Sequence, residues 1–387
     1  MTAIWRQLLV MKSLPAEYRA LRSLSTDVAK AVTPLIQLWD RNPTAGVEEG
    51  EQEPDEVGSA DSGFFGQQAI WEDGEAHPVW KRLRNGLFTR TRGSWNKDLP
   101  VLLDGEWLDD PVAFTTIVAN CRAAGMIVVP VTGLDRNVPY GEAIVASTSG
   151  RDGLVLRLRP ADFLGGATTL RERLDSLLAP VKVGPTGVDL VLDLSCLDDA
   201  FLERDELNAE SMVRALPYLD DWRNLAIVGS GTPREVTEGR FKRDEITPFR
   251  RLEWLIWKEL FVRRDHIGRL PVYGDYGVIH PDPVEPIGEP KSLPRIPKII
   301  YASREEFLMI RGHDLRLAGD DGQLGKLLEL LKENGVWAGP NFSAGDAWFD
   351  RAARGIDKPG DWGTWKWAGQ VHLLTHTSQQ LASLLDS

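Results

Sequence analysis

Apolar residues along this chain gather into short runs with few polar interruptions, separated by stretches of helical spacing. The runs are Ile4 to Met11, Val32 to Leu38, Pro100 to Leu103, Met126 to Val131, Leu154 to Leu158, Val188 to Leu194, Leu225 to Gly229, Pro271 to Tyr273 and Lys298 to Ser303. A strand with alternating apolar and polar positions has one wet face. One that is apolar throughout is buried on both, as in a parallel sheet crossed by helices. The intervening stretches supply those helices. Tyr18, Leu21 and Leu24 share a face, as do Phe114, Ile117, Val118 and Cys121, and then Leu170, Leu174, Leu177 and Leu178. Met212, Val213 and Leu216 mark another, and Phe249, Leu252, Leu255, Ile256 and Leu260 a further one. Asp110 and Pro111 open the Phe114 helix as cap and first-turn proline, and Gly125 closes it.

This alternation predicts an α/β fold. Eight of the nine runs suit a closed (β/α)8-type barrel within residues 1–312, leaving one for a hairpin near the end. A doubly wound open sheet competes, but no glycine-rich phosphate turn follows an early run. Residues 41–98 break the pattern: Glu48, Glu49, Glu51, Glu53, Asp55, Glu56 and Asp61 make an acidic stretch without periodicity, expected as an insertion outside the barrel. Later in it, Lys81, Arg82, Arg84, Arg90 and Arg92 alternate with Trp80, Phe88 and Trp95. That mixture suits a solvated face, or contact with a nucleic-acid strand. Past residue 312, Leu324, Leu327, Leu328 and Leu331 resume helical spacing, and so do Val371, Leu374, Leu381 and Leu384. Residues 313–387 are expected as a helical extension packed on the barrel, because so short a segment builds a marginal core alone.

Composition narrows the class. At 387 residues, with 42% hydrophobic and 26% charged, the chain can bury a sizeable core as one large domain or two ordinary ones. The net charge of −12 argues against a generally basic nucleic-acid surface, so any such contact would need a local groove. No apolar run nears the ~20 residues of a membrane helix, and Leu8 to Met11 is too short for a signal-peptide core. Cys121 and Cys196 both lie in apolar segments and form neither a disulfide framework nor a cysteine-only metal site. A reducing cytoplasm is the expected home.

In such a barrel the chemistry lies at the C-terminal strand ends. Those ends carry Lys12, Gln37, Asp104, Arg157, Arg159, Asp193, Ser230, Asp275, Tyr276 and Tyr301. Asp193, Asp275 and Tyr276 are the catalytic candidates, as acid, base or proton donor. Lys12, Arg157, Asp104 and Tyr301 are the substrate-binding candidates, the two cations suiting a phosphate or carboxylate. Asp104, Asp193 and Asp275 also suit a hard divalent cation, although no metal ligand set is assigned. Lys12, Arg157, Asp193 and Asp275 are expected to lie together with alternating charge. The opposing reading is a buried ionic network that ties the barrel closed. The Asp275-Tyr276 turn is open in the same way: a presented acid and phenol, or an aspartate capping its own backbone. His372 and His376 have the i, i+4 spacing of two ligands, but no glutamate lies between them. Ser230 lacks the spacing of a nucleophile turn.

Taken in order, these residues resemble the phage beta protein family. The resemblance rests on Lys12 with Glu17, Val32 to Ile36, Asp104, Pro130 to Leu134, Arg157, Asp193 and Ser230 to Pro233. It continues through Arg251 to Glu253, Tyr273 to Tyr276, Tyr301, Arg311-Gly312, Ser343 to Asp346, and Trp365 before His372. Gln37 stands where the family often has an acid, and Lys366 where arginine is usual. The family occurs in phages and bacteria, near genes for defence against other phages. The resemblance therefore implies a component of a bacterial or prophage anti-phage defence system, with a protein partner from the same locus. Two roles follow from it. One is a barrel enzyme acting on a phosphorylated or nucleic-acid-derived substrate. The other is a non-catalytic barrel that senses a phage component or regulates an effector, using the acidic segment and the tryptophan-rich tail as contact surfaces.

Overall fold

The computed structural model describes residues 5–40, 77–88, 95–148, 153–202, 208–234, 236, 239–282, 295–318 and 322–385. Seven strands follow one another around a parallel ring: β1 (Gln7–Lys12), β2 (Val32–Trp39), β3 (Val101–Trp107), β4 (Val128–Thr132), β5 (Leu154–Leu158), β6 (Val188–Cys196) and β7 (Asn224–Ser230). The next strand in the chain, β8 (Ile246–Arg250), lies outside the ring. Strand β9 (Val272–Asp275) closes it, pairing in parallel with both β7 and β1. The first eight apolar runs are thus the eight barrel strands.

Alternation along each strand sorts the side chains into two cores. Leu8, Val10, Leu35, Leu102, Val129, Val131, Val155, Val191, Ala226 and Val228 fill the lumen. Their neighbours Leu9, Met11, Ile36, Leu103, Leu156, Leu190 and Leu192 join the larger core shared with the helices. Those helices start cleanly. Asp110 accepts from Val112 N at 2.9 Å, Asn137 from Tyr140 N at 2.9 Å and Asn208 from Ser211 N at 2.8 Å, each satisfying a first-turn donor.

Of the stretch expected as an acidic insertion, residues 41–76 and 89–94 lie outside the described residues. Residues Pro78–Leu87 form the helix between β2 and β3, with Val79, Trp80, Leu83 and Leu87 buried. Trp95 is buried as well. Trp80 and Trp95 therefore pack in the core and have no face to offer a nucleic-acid base.

The ninth run, β10 (Lys298–Ala302), forms an antiparallel hairpin with β11 (Glu306–Arg311), and β8 adds to the other edge of β11. Helices Gln323–Glu333 and Ala344–Ala353 pack with this small sheet. The tail tryptophans go inside: Trp348, Trp365 and Trp367 are buried. These three are packing residues, while Trp337 and Trp362 are partly buried against the same cluster.

Helix Trp362–Leu385 then returns to the barrel. Its Gln370 Oε1 accepts from Val278 N at 2.9 Å, just past β9. About two turns before its end, Ser378 Oγ donates to Gln7 Oε1 at 3.0 Å, at the start of β1. Leu374 and Leu381 join the barrel core. The helix thus runs back along β9 and β1, in the place of the eighth crossover helix. A boundary at residue 312 falls inside the closing βα unit. Gly277 permits the seating: its φ is +66°, and a Cβ there would lie 2.1 Å from Gln370 Oε1. Among the described residues, no helix is long and apolar enough to cross a membrane.

A chain ending at residue 361 should therefore lose cooperative unfolding in calorimetry. Gly277→Ala should destabilise by about 2–4 kcal/mol through strain and collision. A truncated chain melting like the full one would contradict this placement of the last helix.

Candidate functional site

The alternation that puts valines and leucines in the lumen carries on to the strand ends and gives the mouth a polar layer. Arg157 is its centre. Its Nη1 donates to Asp104 Oδ2 at 2.8 Å, its Nε to Asp193 Oδ2 at 2.8 Å and its Nη2 to Tyr276 OH at 2.6 Å. Tyr276 OH in turn donates to Asp193 Oδ1 at 2.8 Å. The side chains of Asp104 and Asp193 have 0% exposure, and Arg157 has 3%. Around them, Arg136 pairs with Glu106 and lies 3.2 Å from Asp104, and Arg159 bonds Glu106 at 2.7 Å and Asp135 at 2.9 Å.

The electrostatics follow from that pairing. Burial works against the Arg157 cation, but Asp193, Tyr276 and Asp104 outweigh it and hold its pKa well above the ordinary value. Burial also keeps the Tyr276 phenol protonated, opposed by Arg157 and helped by Asp193. Tyr276 is thus a hydrogen-bond donor to Asp193. Against burial, Arg136, Arg157 and Arg159 hold the Glu106 carboxyl below its usual range.

Three strand-end aspartates share one local device. Asp104 accepts from Glu106 N at 3.0 Å, Asp193 from Ser195 N at 2.9 Å and Asp275 from Gly277 N at 2.8 Å. Strand parity then separates them. Asp104 and Asp193 face the lumen, while Asp275 faces outward and accepts from Tyr273 OH at 2.8 Å. Burial pushes the Asp275 carboxyl up. The four charges expected together do not all meet: Arg157 and Asp193 pair, and Asp275 stands on the other face of β9. Nor do Asp104, Asp193 and Asp275 converge on one cation position.

The remaining candidates are also placed elsewhere. Lys12 Nζ donates to His280 O at 2.9 Å and Asp282 O at 2.7 Å, clamping the loop after β9. Burial lowers its pKa, as it raises that of Glu17, which accepts from Lys12 N at 2.7 Å. Tyr301 lies in the small sheet, donating to Asp346 at 2.9 Å and stacked 3.7 Å from His372. His372 Nδ1 lies 3.0 Å from Asp346 and its Nε2 3.0 Å from Ala302 O, so its nitrogens are occupied. His376 Nε2 lies 3.0 Å from Ser303 O. Arg251, fully buried, donates to Ser303 O, Gln380 and Thr377, tying the small sheet to the last helix. Ser230 accepts from Thr232 N at 3.1 Å in a tight connection.

Beside the sealed mouth is an open cleft of about 500 Å³, which suits a small ligand. Cys196 and Asp198 come to it from the end of β6, Gly231 to Arg234 from the end of β7, Arg240 from before β8, Arg250 from the last position of β8, and His280 from the loop after β9. Arg234 has Asp282 at 3.9 Å, and Arg250 has Asp199 at 3.3 Å, both pairs exposed. Arg240 lies 5.1 Å from the Phe241 ring centroid. On the inner side, Cys196 Sγ is 3.3 Å from His280 Nε2. Asp282 N donates to His280 Nδ1 at 3.1 Å, which leaves the ring proton on Nε2, pointing at sulfur. Burial and Asp282 push the Cys196 thiol up, while burial pulls His280 down, so this pair is uncharged near neutral pH. Cys196 is exposed, in contrast to the apolar setting expected from its flanking leucines.

Sequence reasoning missed Glu106, Arg136, Cys196, His280 and the cleft arginines. Glu106 was within reach, two residues beyond Asp104 on the same face of β3. Cys196 ends β6 past a register shift, and the others sit on loops or outside the ring, where no periodicity points.

The sequence model of a family described as Beta protein matches residues 9–379. No curated protein matches the chain.

Arg157→Met should destabilise the fold by about 3–5 kcal/mol, because it strands two buried carboxylates. Adding Asp193→Asn should recover part of that loss in denaturant unfolding. A single variant within 1 kcal/mol of the parent would show that the network carries no structural role.

Proposed function

The chain belongs to the beta protein family, and on that premise we propose a component of bacterial or prophage anti-phage defence that binds a phosphorylated or nucleic-acid-derived ligand in the cleft beside its barrel mouth. The observation that carries the proposal is the lining of that cleft. Arg234, Arg240 and Arg250 face one cavity on a chain whose net charge is −12. Asp198 and Asp199 share the lining, so the arginines leave it with one net positive charge, and their guanidinium forks match phosphate oxygens.

The arginines are also available. Arg234 and Arg250 have side-chain exposures of 61% and 53%, and their carboxylate partners are exposed too. Exposed pairs of this kind are worth little, so an incoming phosphate can replace them. The central mouth residues are the reverse: Arg157, Asp104 and Asp193 are buried and paired with one another. Recognition at the rim is therefore favoured over chemistry at the barrel centre. We read the protein as cytoplasmic, with both cysteines free, and as acting with a protein partner from its own locus.

Arg234→Gln combined with Arg250→Gln should weaken nucleoside triphosphate binding at least tenfold in calorimetric titration and reduce phage protection in plating assays. The melting temperature should move by no more than about 2 °C, since surface substitutions cost little. Unchanged affinity and unchanged protection would refute the assignment.

A further inference from the structure

Cys196 and His280 meet at the wall of the cleft with Asp282 beside them, and neither the sealed mouth nor the anion reading explains the cluster. We propose that these three residues bind a zinc-class divalent ion whose open coordination position faces the arginine-lined cavity. The proposal deepens the reading of the cleft, and rests on it for what the ion would meet there.

Each residue offers one ligand atom, and the three atoms lie within 4.8 Å of one another. Zinc takes sulfur at about 2.3 Å and imidazole nitrogen at about 2.0 Å, so tetrahedral ligands of these kinds stand about 3.5 Å apart. Cys196 Sγ and His280 Nε2 are already 3.3 Å apart. Thiolate, imidazole and carboxylate together select zinc or a similar transition ion over magnesium or calcium, which prefer all-oxygen shells. Three protein ligands leave a fourth position, and Cys196 and His280 both line the cavity.

The chain builds this arrangement deliberately. The pairing of β6 with β7 shifts register between Asp193 and Cys196, and Ser195 between them has φ +55°. That irregularity turns the strand end outward and delivers the thiol to the rim. From the other side, Lys12 holds the carbonyls of His280 and Asp282 at 2.9 Å and 2.7 Å. These bonds fix the loop that carries two of the three ligands.

Proton balance predicts a local adjustment. Binding releases the thiol proton to solvent, and the imidazole proton leaves Nε2 while Nδ1 takes one up. A protonated Nδ1 no longer accepts from Asp282 N, so the 3.1 Å contact must open and the turn at residues 280–282 must shift. A phosphate in the cleft could then place one oxygen on the ion and others on Arg234, Arg240 and Arg250.

Cobalt(II) titrated into the full-length protein is the direct probe. The expected result is one equivalent bound, with a thiolate-to-cobalt charge-transfer band in the near ultraviolet that zinc(II) abolishes. Cys196→Ser should lose that band, His280→Ala should weaken binding at least tenfold, and Lys332→Gln, on helix Gln323–Glu333, should leave it within twofold. Circular dichroism identifies any variant that fails to fold, and Asp282→Asn then serves as the second ligand change. A parent protein without the band, or a Cys196→Ser protein that keeps it, overturns the proposal. Loss of the band with intact nucleotide binding rejects the metal site alone. An intact band without nucleotide binding supports the metal site and rejects the anion reading.

Discussion

A guanidinium inside an aliphatic barrel must be paired on every side, and Arg157 sets that constraint for this fold. Its own strand, β5, is otherwise leucine and valine. Leaving such a cation unpaired in a low-dielectric lumen would cost several kcal/mol. Strands β3 and β6 answer with Asp104 and Asp193, and the turn after β9 answers with Tyr276. Partners from both sides of the ring therefore converge on one residue. The network joins β3, β5, β6 and β9 across the mouth, and the pairing itself seals the barrel's usual working face.

That seal displaces the candidate site. The polar groups at the mouth are spent on one another, so a ligand needs another opening. The small antiparallel sheet provides it, because β8 leaves the ring after β7 and brings Arg250 alongside the ends of β6 and β7. The same detour postpones the eighth helix to the end of the chain. Glu253 links the two features: it accepts from Gly231 N at 3.0 Å, and burial raises its pKa to about 7. Among the residues that carry the family resemblance, Arg251, Glu253, Tyr301, Asp346 and His372 serve this join between sheet, last helix and barrel.

The barrel was legible because its strands are buried on both faces, which leaves a mostly apolar signature in sequence. Strand β8 was not, since four of its five residues are at least partly exposed and it sits at a sheet edge. Helix Trp362–Leu385 was readable as a helix but not as the barrel's eighth, because its partners β9 and β1 are remote in sequence. At the site, the pairing of Arg157 with aspartates followed from the expense of a buried charge. The separation of Asp275 from Asp193 required strand parity, and the neighbouring Tyr276 is the residue that faces inward. Cys196 was hidden by Leu194 and Leu197, since a register shift cannot be seen in composition.

Where a ligand docks is the claim on which the account turns, and amide hydrogen exchange reads it directly. Exchange should be compared with and without a saturating nucleoside triphosphate. Exchange should slow at Gly231, Thr232, Arg234 and Arg250 to Leu252, with Gly105, Glu106 and Arg136 unchanged. Protection centred on Gly105, Glu106 and Arg136 instead would place the ligand in the barrel mouth and contradict it.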